Sequence, residues 1–350
     1  MRLPPWFSNL LPEGPLREWI GLQRRVPVQR EMELLVEVGH DLPGAVRLLP
    51  IDEPLPPLTD AANGLDSAEV APSQRRTWRF SLSGVALKFS LLRRGDRFTA
   101  PASGWGGDWI VKLPDPLYPD VPRNELCMME LARRCGMNVP ETMLVERELV
   151  DDVPNAAWGR EEQAYAIRRF DRDAERRLVH IEDLAQVRGW YPERKYDGTF
   201  ETVPALLYRG YDTGALQEFA RRLAFNVFIG NGDAHLKNWS LIYYDPRRPT
   251  LAPAYDVVAT FVYRPTESPV EDLGLRFGGS RHFAEVTPAS FEALDTRLAA
   301  RAHLAAIAVD TARRAAESWP SVEHLLAPND GLRAAIGERI EAETRRFLGG

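Results

Sequence analysis

The run ALQEFARRLAFNVFI, residues 215–229, is apolar at helical spacing, and the nine residues directly behind it, GNGDAHLKN, are dense in charged and amide groups. A helix that buries so much apolar surface and then stops in an aspartate, a histidine, a lysine and an asparagine must satisfy all of them in a short turn. Such a stretch is either a capped loop or a site. Behind it WSLIYY reads as a strand, DPRRP as a turn, and APAYDVV as an extended segment that carries Asp256.

The rest of the chain is long enough to support a large core. It has 350 residues, 44% of them hydrophobic, and a net charge of -6, which supplies no general basic field for nucleic acid. No window approaches a membrane span, and MRLPPWFSNLLPEG lacks the pattern of a secretory leader, so the expectation is a soluble cytoplasmic protein. Cys127 and Cys135 lie eight apart in ELCMMELARRCG, which reads as one helix, and are expected as reduced core thiols.

Several texture changes divide the chain. Within residues 1–49, a short N-terminal helical segment, LREWIGLQRRVPVQREMELLVEVG reads as two helices joined near Pro27. Residues 50–76, rich in Pro, Asp and Ala, suit a linker. Residues 77–170 read as short strands with Gly-containing turns, then a helix and a strand pair at MLVERELV and QAYAIRRFDR; residues 171–350 read mostly as helix. The segment 189–212 suits an ordered, substrate-facing loop. Near the C-terminus Leu332, Ile336 and Ile340 repeat every four residues, with Asp330 placed to cap. The fold class that follows is α+β: a two-lobed, protein-kinase-like chain with a small antiparallel β lobe and a larger helical lobe.

Asp233 and Asn238 stand in the arrangement D-x-x-x-x-N. Phosphoryl transfer uses this spacing, because the aspartate accepts the proton of the attacking hydroxyl while the asparagine wraps round to hold magnesium. Asp256, eighteen residues after Asn238, supplies a second carboxylate for the metal. Upstream, WIVKLP offers Lys112 for the ATP phosphates, and Glu125, thirteen residues on, offers that lysine a partner. The phosphate-covering hairpin falls on SLSGVALK, with the single glycine Gly84. Each piece alone has a plainer reading: Asp233 as a turn residue, Lys112 as a solvated strand lysine, Ser81 and Ser83 as edge positions, His235 as a loop residue bonded to backbone. Their order along the chain makes the stronger case. Gly230 and Gly232 are expected to let the loop turn sharply, and Lys237 is left either structural or near the phosphates.

Taken together, SLSGVALK, WIVKLP, NELCMMELARRCGMNVPE, RRFDR, GNGDAHLKNWSL and APAYDVV resemble the HipA family of serine/threonine kinases, the toxins of type II toxin–antitoxin modules. The resemblance implies Asp233 as the catalytic aspartate, Asn238 and Asp256 as Mg2+ ligands, and Lys112 on the phosphates of ATP. It implies Lys88 as a basic residue of the nucleotide-covering loop and Phe170 at the adenine hinge, with Arg168 where the family usually has glutamate; His235 is counted with these among the candidate cofactor-binding residues. HipA proteins begin with a small β-rich subdomain before a segment similar to WFSNLLPEGPLRE, and here the chain starts almost at that segment. This is similar to the shortened HipT branch, whose loop carries S-x-S-G, as Ser81, Ser83 and Gly84 do, with both serines open to autophosphorylation.

The same resemblance implies a HipB-like DNA-binding antitoxin and a small HipS-like protein as partners, contact with DNA only through the antitoxin, no membrane, and growth arrest. It implies an aminoacyl-tRNA synthetase as substrate, the tryptophanyl enzyme in the HipT branch. Two other readings share parts of the pattern. One is a small-molecule phosphotransferase of the aminoglycoside or choline type; the other is an inactive binding module that acts as co-repressor.

Overall fold

The computed structural model describes residues 2–49, 87–101, 106–151, 153, 157–264 and 272–349. The stretch 50–76 and the loop bearing Ser81, Ser83 and Gly84 lie outside the described residues.

Period-two alternation builds the sheet that faces the site. Strands β1 (Lys88–Arg94), β2 (Arg97–Thr99), β3 (Trp109–Lys112), β4 (Thr142–Glu146) and β5 (Gln163–Arg168) form one antiparallel sheet in the order β2-β1-β3-β5-β4. In β3, Trp109 and Val111 point to one face and join a core with Leu16, Ile20, Leu34, Leu35 and Val38 of the N-terminal helices. The alternate residues, Ile110 and Lys112, therefore point to the other face. Tyr165 and Ile167 of β5 pack on that side into the second core, while Ala164 and Ala166 face the first. A shift of one residue would turn Lys112 away from the cleft.

The N-terminal segment holds α1 (Pro5–Ser8), α2 (Gly14–Arg24) and α3 (Glu31–Val38); α2 and α3 are joined through Pro27, as the sequence suggests. After β3 comes α4 (Val121–Arg134), with Cys127 inside it and Cys135 at its end, both buried free thiols. Burial pushes the Cys135 thiol up to about 12, so it stays protonated.

The helical part is built around α7 (Thr213–Ile229), flanked by α5 (Leu184–Val187), α6 (Val203–Tyr208), α8 (Pro288–Leu298), α9 (Leu304–Ser318) and α10 (Asp330–Leu348). Twelve of its residues are buried, among them Phe219, Phe225 and Phe228. At about 1.5–3 kcal/mol for each large apolar side chain, this helix is fixed by burial from all sides. A small sheet, β6 (His180–Asp183), β7 (Ser240–Tyr243) and β8 (Thr250–Leu251), and a hairpin, β9 (Asp272–Phe277) with β10 (Ser280–His282), frame the loop behind it. No helix among the described residues is long and apolar enough to cross a membrane.

Three local expectations are corrected. The cap of α10 is Asn329, whose side chain accepts from Leu332 N at 3.0 Å, and Asp330 is the first helical residue. The segment 189–212 is not all loop: a 3-10 turn forms at Pro192–Arg194 and α6 follows, because Pro204 suits a first turn and Val203 and Leu207 bury themselves. Of the two glycines in the loop, Gly230 alone is left-handed, at φ 65°, where a Cβ would lie 2.6 Å from Arg339 and 2.7 Å from Phe261.

Candidate active site

The end of α7 hands its geometry to Asp233 through a relay of amides. Asn231 donates its backbone N–H to the Asn226 carbonyl (2.9 Å) and its side-chain amide to Asn226 Oδ1 (3.0 Å), and its own Oδ1 accepts from Asp233 N (3.1 Å). Asn238 Nδ2 donates to the carbonyl of Asp233 at 2.7 Å, which closes the loop and leaves its Oδ1 for another partner. The Asp233 side chain is 54% exposed, and its Oδ1 accepts from the Tyr196 phenol at 2.5 Å. His235 is buried beside it, Nε2 3.9 Å from Asp233 Oδ1, and burial holds its pKa down at about 4. The ring is thus neutral at pH 7. Its Nδ1 meets no hydrogen-bond partner among the described residues.

Lys237 belongs to the scaffold. Its Nζ donates to the Asn9 carbonyl (2.8 Å) and lies 3.0 Å from Glu13 Oε1 and 3.5 Å from Asp183 Oδ2. Of the two readings left open for this lysine, the structural one is the one its contacts describe. Glu13 also accepts from Lys195 Nζ at 2.9 Å; although burial raises its pKa, Lys237 and Lys195 outweigh that and hold it at about 2. The N-terminal segment is thereby pinned under the loop.

Opposite, the sheet supplies charge. Lys88 and Lys112 are direct cross-strand partners in β1 and β3, an arrangement that repels unless anions intervene. Lys112 Nζ donates to Glu125 Oε1 at 2.5 Å and to Asp256 Oδ1, and both carboxylates line the same cleft. Burial, opposed by Lys112, pushes Glu125 up to about 7. Lys112 and Lys88, against the penalty of burial, draw Asp256 well below the usual carboxylate range. Lys88 makes no hydrogen bond or ion pair among the described residues, and burial lowers its pKa. Asp256 sits at φ 54°, a left-handed backbone that a non-glycine residue adopts only when its surroundings enforce it. The enforcement is visible. Asn124 clamps the Ala259 backbone in both directions (3.1 Å each), and the Tyr255 hydroxyl bonds Ser240 Oγ (2.5 Å) and the Lys237 carbonyl (2.9 Å).

Between the two sides lies a cleft of about 310 Å³. Its lining includes the apolar side chains Ile110, Ile167, Ile181 and Phe170, whose ring lies 5.6 Å from that of Tyr255, and the charged or amide side chains Lys88, Lys112, Asp233, Asn238 and Asp256. Arg168 ends β5 half exposed, 3.8 Å from Glu141. The structure therefore brings together Asp233, His235, Asn238, Asp256, Lys112, Lys88 and Phe170 in one cleft, while Ser81, Ser83 and Gly84 lie outside the described residues. Sequence reasoning missed Tyr196, and also Asn9, Glu13 and Asp183, which hold the loop from below.

A divalent cation suits the donor set: the Asp256 carboxylate and the free Asn238 Oδ1 are hard oxygens, and Mg2+ keeps water and phosphate oxygens in its remaining positions. Two side-chain ligands are then sufficient.

A lysine on a small antiparallel sheet, paired with a glutamate of helix α4 and facing an aspartate, an asparagine and a second aspartate from a helical lobe, defines a two-lobed kinase-like enzyme. The chain belongs to the HipA family. The model of the HipA-like C-terminal domain matches residues 80–319, and that of the HipA N-terminal domain residues 1–49. The "Putative kinase Y4dM" of Sinorhizobium fredii is 42% identical over 346 residues, covering 97% of this chain and 81% of that protein. The serine/threonine-protein kinase toxin HipA of Shewanella oneidensis is 26% identical over 294 residues, 75% of this chain and 64% of that protein. The fold is that of HipA in a Shewanella oneidensis complex with HipB and operator DNA, with TM-score 0.76, 23% identity, and coverage of 99% of this chain and 85% of that one. As a member of this toxin kinase family, the protein falls among enzymes that in general use ATP and a divalent metal.

Proposed function

We propose that this protein is the kinase toxin of a type II toxin–antitoxin system and transfers the γ-phosphoryl group of ATP to a serine or threonine of a translation component, an aminoacyl-tRNA synthetase, causing growth arrest. The observation that carries the reading is the convergence of Lys112–Glu125, Asp233, Asn238 and Asp256 on one cleft that is also lined by apolar side chains. In this reading Asp233 takes the acceptor's proton, Lys112 and Lys88 face the ATP phosphates, and Ile110, Ile167 and Phe170 flank the adenine. Asn238 and Asp256 hold Mg2+, which when bound neutralises charge developing on the transferred group.

The organisation proposed with this function is a β-rich nucleotide part at 77–170, a helical catalytic part at 171–350, a helical segment at 1–49 and a linker at 50–76. A HipB-like antitoxin is the proposed DNA-binding partner, with a small HipS-like protein beside it; the assembly of the Shewanella relative with HipB and its operator supports the first of these. Ser81 and Ser83 are the proposed autophosphorylation sites. A phosphate there carries about -1.5 to -2 charge and competes with ATP for Lys88 and Lys112, which silences the enzyme.

Incubation with γ-labelled ATP and a cell extract tests the substrate class. A discrete labelled protein band, identified by mass spectrometry as an aminoacyl-tRNA synthetase, is the expected result. Label that appears only in small molecules contradicts it.

A further inference from the structure

The Asp233 carboxylate, assigned above to receive the acceptor's proton, already has a hydroxyl on it. Tyr196 donates to Asp233 Oδ1 at 2.5 Å and is the sole hydrogen-bond donor to that carboxylate among the described residues. Burial and the neighbouring Asp233 raise the phenol's pKa, so it stays a donor at neutral pH. Its placement is built from both sides. The ring meets His235 edge-on at 4.9 Å between centroids, and the Tyr196 carbonyl accepts from Arg281 at 2.9 Å. Lys195, the preceding residue, reaches Glu13 with its side chain and accepts from Leu236 N with its carbonyl at 3.1 Å. Gly198 lies so close to Leu236 that a Cβ would come within 3.2 Å of it. The backbone on either side of Tyr196 is thus held against the catalytic loop.

We propose that Tyr196 is an internal occupant of the acceptor-hydroxyl subsite: its phenol stands where the substrate hydroxyl must stand, and a substrate enters only by displacing it. This rests on the kinase reading and gives it a regulation, because displacement breaks one hydrogen bond to a charged group and that bond sets a threshold against unselected acceptors, water included. When water is the acceptor, its oxygen bonds to the γ-phosphorus, the bond from that phosphorus to the β–γ bridging oxygen breaks, ADP leaves with the electron pair, and the water's proton passes to Asp233.

The experiment measures ADP release from Mg-ATP by the full chain with no protein acceptor added, in the wild type, Tyr196→Phe, Tyr196→Ala and Asp233→Asn, with intact mass and phosphosite mapping of the same samples. Tyr196→Phe keeps the ring packed on His235 and guards against a folding defect, which melting temperature monitors. The expected result is a kcat roughly tenfold or more above wild type for Tyr196→Phe, with KM for ATP unchanged, since the phenol sits on the acceptor side. Tyr196→Ala is expected to be at least as fast, Asp233→Asn to remain at background, and no phosphate to appear on Tyr196. A Tyr196→Phe rate equal to or below a measurable wild-type rate overturns the occupant role and leaves the kinase reading standing; a lowered rate makes Tyr196 a positioning residue for Asp233. Phosphate on Tyr196 also overturns it, by making the residue an acceptor. Absence of turnover in every variant sinks both.

Discussion

Two buried clusters in this molecule contain the same charges, two cations and two carboxylates, and differ in almost everything else. Just beyond the end of β5, Arg169 and Arg172 meet Asp41 and Asp171. Arg169 Nε and Nη2 hold Asp171 at 2.9 and 2.8 Å and its Nη1 holds Asp41 at 2.6 Å, while Gly44 N, Gly107 N and Ser90 fill further positions. Exposure of these four side chains does not exceed 6%. In the cleft, Lys88 and Lys112 meet Glu125 and Asp256, but Lys88 has no bonded partner among the described residues and Asp256 is 29% exposed. The first cluster is closed and fixes the N-terminal segment to the end of β5. The second is left open on the side where an anion and a cation would enter. Equal charge composition therefore says little about role; unmet hydrogen-bonding capacity separates a strut from a site.

The largest effect that sharpens this contrast is on folding. Arg169→Met strands Asp41 and Asp171 in a dry interior and is expected to lose about 3–5 kcal/mol in urea unfolding. A loss below about 1 kcal/mol would make the closed cluster dispensable. Next comes Lys112→Met, expected to lower kcat/KM for ATP by about 10²-fold with a smaller change in unfolding free energy than Arg169→Met, because Lys88 remains and the cleft is open to water. If the ranking of the two variants in stability were reversed, the distinction between strut and site would be wrong.

The smallest effect concerns Glu13. Its folded pKa, about 2, lies below the ordinary 4.5, so the folded state binds fewer protons. Its contribution is complete above pH 4.5 and is lost as pH falls from there toward 2. Urea unfolding at stepped pH should show Glu13→Gln less stable at neutral pH by about 2 kcal/mol and correspondingly flatter across that window. An unchanged slope would remove Glu13 from the pinning of the loop.

Much of the site was legible because its spacing is local. Asp233 and Asn238 share one turn, Asp256 follows one hairpin later, and period two put Lys112 on the face opposite Trp109. The small antiparallel sheet and the buried stripe Leu332, Ile336 and Ile340 were legible for the same reason. What stayed hidden depends on contacts between distant residues: Asp41 finds Arg169 128 positions away, and Tyr196 finds Asp233 37 positions away. No periodicity announces such pairs. The Asn329 cap was missed by one residue because Asn and Asp both cap well, and only backbone geometry chooses between them. Tyr196 lay in a stretch whose Gly, Pro and charge suggested a substrate-facing loop, yet nothing in that composition singles out one tyrosine among its neighbours.

The role proposed for Asp233 is to serve phosphoryl transfer to a hydroxyl. Its most direct test is label transfer from γ-labelled ATP to protein by the wild type and by Asp233→Ala, with both proteins shown to be folded by matching melting curves. Transfer by the wild type and a fall of roughly 10²–10⁴-fold in the variant are expected. Equal labelling by the two proteins would contradict it.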